Sequence, residues 1–387
     1  MQKYDVHFCL VSAQAAPNFF PIFDKQFKPQ EVVLFISNKM KSKAEHLEKL
    51  FLSKNIKVKK VDLNDVFDFS NMENEFIEQL EQYEDRNIAL NATGGTKLMA
   101  MAAQNAFVLA GKPIFYIDTD ENRIVFITKD EQRNTIPDQT MDINISVSDY
   151  LSGYGATVLN SSDPRDNRQW MDVAQELLIY RQKYQEMIPL LNKYVSKSEN
   201  YHLNINKELY DHDLNSFLIE LAKRKMIDYD GKLVDFQNNQ ISHFLSGGWL
   251  EDFTYWKIKD LSQIQDISCN LEVANDKYNP NKARQATDNI GNNNEFDIVF
   301  LAKNKLHIIE CKTQFMKKED GEEKAENILY KLETLKDYGG LMTKKCLVSY
   351  FEVPKSIRNR AKTLNVELIQ ASDLFNLKNK IQDWIAK

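Results

Sequence analysis

Through its first third, the chain alternates short apolar runs with amphipathic stretches. Runs at Val6–Val11, Glu31–Ile36, Lys57–Asp62, Asn87–Asn91, Pro113–Asp118 and Arg123–Thr128 predict strands. Between them, Ser42–Asn55, Asn71–Glu84 and Lys97–Ala110 carry apolar residues at helical spacing. Several of the strands are continuously apolar, as strands are when helices cover both faces of a sheet. The alternation predicts an α/β fold with a doubly wound, mostly parallel sheet over residues 1–145.

From about Tyr150 the pattern changes. Ser161-Ser162-Asp163-Pro164 reads as a loop, Trp170–Tyr194 and Leu214–Lys225 as helices, and Met226–Val234 as a small β wing. Residues 146–245 are therefore expected to be mainly helical and winged-helix-like. Such a module either binds DNA or joins two domains, and the lack of a densely basic helix face favours the connector. A third region, 246–387, opens at Gly247-Gly248-Trp249-Leu250-Glu251 and continues as a helix to Leu261. Leu271–Ala274 reads as a strand. The polar stretch Asn275–Asn294, with Lys277, Lys282 and Arg284, is long for a hairpin connection and is expected to touch substrate. Further on, Ala325–Tyr338 predicts a helix stopped by Gly339-Gly340, and Cys346–Phe351 another strand.

Within this third region, two strands place charged groups where apolar ones would be cheaper. Phe296–Leu301 and Leu306–Lys312 flank the short polar segment Ala302–Lys305 and predict a hairpin. With Lys303 and Asn304 as the loop, Asp297 stands opposite Glu310. Period-two alternation puts Glu310 and Lys312 on one face and Cys311 on the other. Two facing carboxylates repel. A divalent cation between them converts that repulsion into affinity, and the lysine beside it suits a water or a phosphate. The pattern points to metal-dependent phosphodiester chemistry.

Composition limits this reading without removing it. The chain has 387 residues, too many for one ordinary core, and a net charge of −6, so nucleic acid affinity requires local basic surface and metal. No run approaches the roughly 18 apolar residues of a membrane helix. Val6–Val11 is short and contains His7, which suits a first strand better than a signal segment. Cys9, Cys269, Cys311 and Cys346 are scattered and form no CxxC pair, as in a reduced, cytoplasmic protein.

A second constellation lies near the start. Asn91-Ala92-Thr93-Gly94-Gly95-Thr96-Lys97 follows a predicted strand and opens a helix, whose free N–H groups suit an anion. It is neither a Walker loop nor a dinucleotide fingerprint. It reads either as a phosphate-ligand loop or as a tight strand-to-helix turn with a capping threonine. Ser12-Ala13-Gln14-Ala15-Ala16-Pro17-Asn18 follows the first strand. Both loops lie at the carboxyl ends of strands, where open α/β sheets bind ligands.

The helix glutamate, strand aspartate and Glu-x-Lys order resembles the PD-(D/E)xK restriction-endonuclease-like superfamily, with Phe296 where that pattern has proline. The resemblance implies hydrolysis of DNA or RNA with Mn²⁺ or Mg²⁺. Asp297, Glu310 and the Cys311 carbonyl would ligate the metal, Glu251 would act directly or through water, and Lys312 would orient the attacking water. Lys331 on the following helix is an auxiliary candidate or an ordinary solvated lysine. Glu251 could equally be a first-turn carboxylate favoured by the helix dipole, and Cys311 a packing residue. The Asn-Ala-Thr-Gly-Gly-Thr-Lys loop resembles the CARF domain, the CRISPR-associated Rossmann fold. Together the two halves look like the ancillary effector nucleases of type III CRISPR systems. That likeness implies a homodimer activated by a cyclic oligoadenylate, cyclic tetra-adenylate by preference, in antiviral defence. Ser12, Gln14, Asn18, Thr93, Gly94, Gly95, Thr96 and Lys97 would line the ligand site. The competing readings are a ligand-responsive transcription regulator with a non-catalytic C-terminal domain, and a restriction-type endonuclease that needs no ligand.

Overall fold

The structure is a computed structural model. It describes residues 3–129, 134–162, 168, 170–195, 202–205, 212–275, 277–279, 281–282, 294–316 and 319–387. The first domain runs β1 (Val6–Leu10), α1 (Ala16–Phe23), β2 (Glu31–Ser37), α2 (Lys41–Ser53), β3 (Lys57–Leu63), α3 (Phe69–Gln82), β4 (Ile88–Asn91), α4 (Lys97–Leu109), β5 (Ile114–Asp118), β6 (Arg123–Phe126), β7 (Gln139–Thr140) and α5 (Val147–Gly153). Its sheet has the order β3-β2-β1-β4-β5-β6-β7. The first five strands are parallel, and β6 and β7 close the edge antiparallel. Alternation along β1 explains the two layers. Val6, Phe8 and Leu10 pack with Phe76 and Phe107 of α3 and α4 on one face. Cys9 joins Leu34, Phe19 and Leu47 on the other.

Next come β8 (Thr157–Ser162), α6 (Met171–Ile179), α7 (Arg181–Tyr184), α8 (Met187–Val195), β9 (His202–Asn204), α9 (His212–Lys223), β10 (Ile227–Tyr229), β11 (Leu233–Phe236) and α10 (Asn239–His243). The expected wing is present, with β9 added to it in the order β10-β11-β9. The single helix expected over Trp170–Tyr194 is broken. Tyr180 leaves helical geometry (φ −94°, ψ 29°), and Pro189 cannot sit in a helix interior but is accommodated in the first turn of a new one.

The third part comprises α11 (Trp249–Ile258), β12 (Ile264–Ala274), β13 (Asn294–Ala302), β14 (Lys305–Lys312), α12 (Glu319–Thr334), β15 (Lys344–Ser349), α13 (Lys355–Thr363), β16 (Val366–Gln370) and α14 (Leu377–Ala386). Its sheet is ordered β16-β15-β14-β13-β12-β8. Two sequence expectations change here. The segment read as a loop at Ser161-Ser162 is the end of an edge strand, because β12 offers β8 an antiparallel partner. Likewise β12 begins at Ile264 instead of Leu271, since its polar first half is paired to β13. Most of Asn275–Asn294, including Arg284, lies outside the described residues.

The three parts share cores. Residues of the first domain such as Phe19, Tyr150 and Ile143 form one apolar cluster with Val299, Leu301, Ile308 and Leu332 of the third. The opposite face of the C-terminal sheet, with Ile298, Phe300 and Ile309, packs on Val173, Leu177, Leu191 and Phe217 of the middle segment. A C-terminal sheet so enclosed cannot move without its neighbours feeling it. The cysteines are buried and free, and no helix among the described residues is long and apolar enough to cross a membrane.

Candidate functional site

The β13–β14 hairpin turns at Lys303 and Asn304, both at positive φ (50° and 56°), as a two-residue turn of the primed type requires. Its register pairs Ala302 with Lys305 and runs through Ile298 opposite Ile309. The next positions are Asp297 and Glu310. Both are buried, at 9% and 2% exposure. The Cys311 amide donates to Asp297 Oδ2 at 2.7 Å, and Lys312 Nζ lies 3.4 Å from the same oxygen. Lys312 Nζ also reaches Glu310 Oε1 at 2.8 Å. From α12, Lys331 Nζ stands 3.2 Å from each Glu310 oxygen. The fold thus brings Asp297, Glu310, Lys312 and Lys331 together.

Glu251 sits in the first turn of α11, with His243 Nε2 3.4 Å from its Oε2. The preceding glycines serve packing. Gly247 has φ +127°, and an added Cβ would sit 2.6 Å from Thr313 Oγ1, just past Lys312. A Cβ on Gly248 would meet His243 Nε2 at 2.5 Å. The Gly-Gly step therefore lets α11 start against the end of β14.

Electrostatics follow from this crowding. Burial, then the charges of Glu310 and Glu251, push the Asp297 carboxyl up to about 8. Burial works to lower the Lys312 ammonium, but Asp297 and Glu310 outweigh it and hold the lysine charged. The hydrogen bond to Glu251 raises His243. Burial, with Glu251 and Glu272, raises Glu295. Glu295 stands directly opposite Glu272 across the β12–β13 ladder. Cys311 is a packing residue by its side chain: burial drives its thiol well above the usual range, and its sulfur lies 3.8 Å from Thr254 Oγ1.

Among the described residues, no three acidic, histidine or cysteine side chains form a ready-made metal cage. The ammonium groups of Lys312 and Lys331 face Glu310 instead. The donors nevertheless suit a hard divalent ion. They are oxygens, two of the three carboxylates are nearly inaccessible, and burial together with the neighbouring carboxylates raises Asp297, a penalty that a divalent cation would relieve.

In the first domain, the predicted ligand residues divide. Ser12, Gln14 and Thr93 line a cavity of about 300 Å³. Asn18 does not; it is buried, and its amide donates to Leu10 O at 2.9 Å. Gly94 to Lys97 are not in that lining either. A Cβ on Gly94 would lie 2.0 Å from Leu10 O, so this glycine lets the turn cross the end of β1. Gly95 adopts φ +75°, and Thr96 caps α4 by accepting from the Met99 amide at 3.2 Å. Thr93 Oγ1 accepts from the Ile117 amide at 2.7 Å, tying the loop to β5. Lys97 is exposed at the start of α4.

Sequence reasoning passed over His243, Glu295 and Glu272. Glu295 was reachable, because it precedes Asp297 by two and so shares its face. His243 was not, since the break at Gly247 intervenes.

A doubly wound α/β domain built against a sheet whose hairpin presents two carboxylates and a lysine defines a two-part nuclease. The chain belongs to the Card1-like CARF nucleases: residues 6–150 match the Card1 CARF domain family and residues 238–387 the Card1-like endonuclease domain family. Among solved structures it is similar to protein VC1899 from Vibrio cholerae, at 23% identity and a TM-score of 0.81, over 98% of both chains. It is also similar to Can2 from Sulfobacillus thermosulfidooxidans in complex with cyclic tetra-adenylate, at 25% identity and a TM-score of 0.79, over 99% of both chains. A type III CRISPR defence DNA nuclease activated by cyclic oligoadenylate shares 17% identity at a TM-score of 0.53, over 92% of this chain and 47% of that one. No curated protein sequence matches the chain.

Proposed function

We propose that this enzyme is a cyclic oligoadenylate-activated, metal-dependent nuclease of the PD-(D/E)xK type, acting on DNA or RNA in type III CRISPR defence in the cytoplasm. The observation that carries the reading is the Asp297–Glu310–Lys312 set, both carboxylates buried, assembled on a hairpin whose tip borders the cavity of the CARF domain.

Asp297, Glu310 and the Cys311 carbonyl are the residues to hold Mn²⁺ or Mg²⁺, with Glu251 acting directly or through water. Such an ion, when bound, withdraws charge from the scissile phosphate and eases deprotonation of the attacking water. Lys312 orients that water and offsets the negative charge that grows on phosphorus-bound oxygens. Lys331 supports Glu310 until the ion and substrate arrive. The Cys311 amide fixes the Asp297 carboxylate, whereas Glu310 would exchange its lysine contacts for the ion.

The activator proposed is cyclic tetra-adenylate, the ligand named with Can2. A ring of that symmetry is best met by a homodimer. The α4 face supports one: Met101 and Val108 are 54% and 57% exposed and lie in line with Lys97 at helical spacing. The test is cleavage of single-stranded DNA, duplex DNA and RNA, with and without Mn²⁺ or Mg²⁺ and cyclic tetra-adenylate. Cleavage indifferent to chelator sinks the metal, and cleavage indifferent to ligand sinks the sensor.

A further inference from the structure

The cavity of the CARF domain is not closed by that domain alone. Ser12, Gln14 and Thr93 line one side, and the β5–β6 turn at Asp118–Asp120 forms the rim. Asn304 and Lys305, the tip of the catalytic hairpin, complete the wall. Among the described residues, two carboxylates and one cation border this space, and that cation is Lys305.

Their pairings differ in kind. Asp118 is engaged by Arg123, 3.0 Å away. Asp120 pairs with Lys305 Nζ at 2.7 Å, yet the aspartate side chain is 62% exposed while the lysine is 17% exposed. An ion pair to so exposed a carboxylate contributes about 0–1 kcal/mol. A phosphate in the cavity can replace Asp120 at small cost and gain a charge-assisted bond to a largely desolvated ammonium. The root of the lysine, in contrast, is fixed. Asn304 is 3% exposed, its backbone amide donates to Gln265 Oε1 at 2.8 Å, and its side-chain amide donates to Asn122 Oδ1 at 2.6 Å.

We propose that Lys305 is the phosphate-binding cation of the sensor cavity, lent to it by the nuclease domain. This rests on the reading of the CARF domain as a cyclic oligoadenylate sensor. An anionic ligand is then held simultaneously by the sensor loops and by the tip of the hairpin that carries Asp297 and Glu310. Glu310 lies five positions along β14 from Lys305, roughly 17 Å of strand, and β14 is paired to β13 on one side and β15 on the other. A second contact runs the same way. The Leu341 amide donates to Gln14 Oε1 at 3.2 Å, just beyond the helix that carries Lys331. Ligand contacts at Gln14 and Lys305 would thus reach both domains at once, the physical connection that coupling between two sites needs.

The experiment is calorimetric titration of the full-length protein with cyclic tetra-adenylate at several salt concentrations, for wild type, Lys305→Gln and Asp120→Asn. Thermal midpoint and Mn²⁺ affinity serve as checks on folding. Lys305→Gln is expected to weaken ligand binding about tenfold and to lower the salt slope by about one, as loss of one phosphate contact does. Asp120→Asn is expected to bind as tightly as wild type or more tightly, because it removes only a competitor for the lysine. Wild-type affinity in Lys305→Gln overturns the proposal. If that variant does not fold, Asp120→Asn still decides: weaker binding overturns the proposal and equal or tighter binding supports it. No binding by the wild-type protein removes the sensor reading itself, before any variant is compared.

Discussion

The two turns of this molecule that bear on function are built on opposite principles. The β13–β14 hairpin concentrates charge in the interior: Asp297 and Glu310 are buried and Lys312 is held between them. The Thr93–Lys97 turn carries no buried charge, and its glycines are there because Leu10 leaves no room for a Cβ. One turn works through side-chain chemistry that only function justifies. The other works through backbone proximity, and on the reading proposed above its ligand contacts would come largely from elsewhere in the chain. A substitution that keeps shape but changes charge should therefore ruin the first turn and spare the second. A substitution that adds one carbon should do the reverse.

The largest effect expected is at the hairpin. Asp297→Asn or Glu310→Gln should cut cleavage by about 10³-fold, on the order of 4 kcal/mol in barrier, while circular dichroism and the thermal midpoint show a folded protein. Cleavage at wild-type rate in either variant would remove the site assignment. Next in size, Gly94→Ala should destabilise the first domain by about 1–3 kcal/mol, as overpacking does. Gly111→Ala makes the control, because φ there is +62° but nothing lies within 4 Å of the added carbon. Gly94 has no left-handed φ, so its loss comes from the contact with Leu10 O alone. A loss no larger than that of Gly111→Ala in denaturant melts would show that the turn relieves this contact by a small shift. Smaller again, Lys331→Ala should slow cleavage about tenfold, roughly 1.4 kcal/mol, since Lys312 still faces Glu310. An unchanged rate would leave Lys331 a solvated lysine.

A separate effect, on stability instead of rate, is a dependence on pH. With its carboxyl raised to about 8, Asp297 keeps a proton in the folded state that the unfolded chain releases near pH 4. Between those values the folded state binds more protons, so stability in chelator should fall as pH rises through this window. Asp297→Asn should flatten that slope. Mn²⁺ binding should release protons below pH 8, which calorimetry in buffers of different ionisation enthalpy would detect. Proton-free binding at pH 6.5 would exclude Asp297 as a ligand.

Much of this was legible in the chain. The period-two spacing from Asp297 through Glu310 to Lys312, and the polar Lys303-Asn304 loop, were enough to predict a hairpin register that the structure reproduces. The alternating elements of the first domain were equally plain, because their apolar periods are local and strong. Less was legible where a partner strand decided the outcome. The polar half of β12 and the Ser161-Ser162 strand end have no local signal, and the sequence reading assigned no elements to α13, β16 and α14.

What the sequence by itself determined was the class of each element and the register that sets two carboxylates opposite each other. Both follow from side-chain periodicity and turn chemistry within a few residues. Only the tertiary structure decided that His243 reaches Glu251, that Asn18 is an internal strut, and that Lys305 borders the sensor cavity. Those outcomes depend on contacts between residues far apart in the chain, such as Lys305 with Asp120. Their geometry is fixed by shared cores and close packing, which no local pattern records.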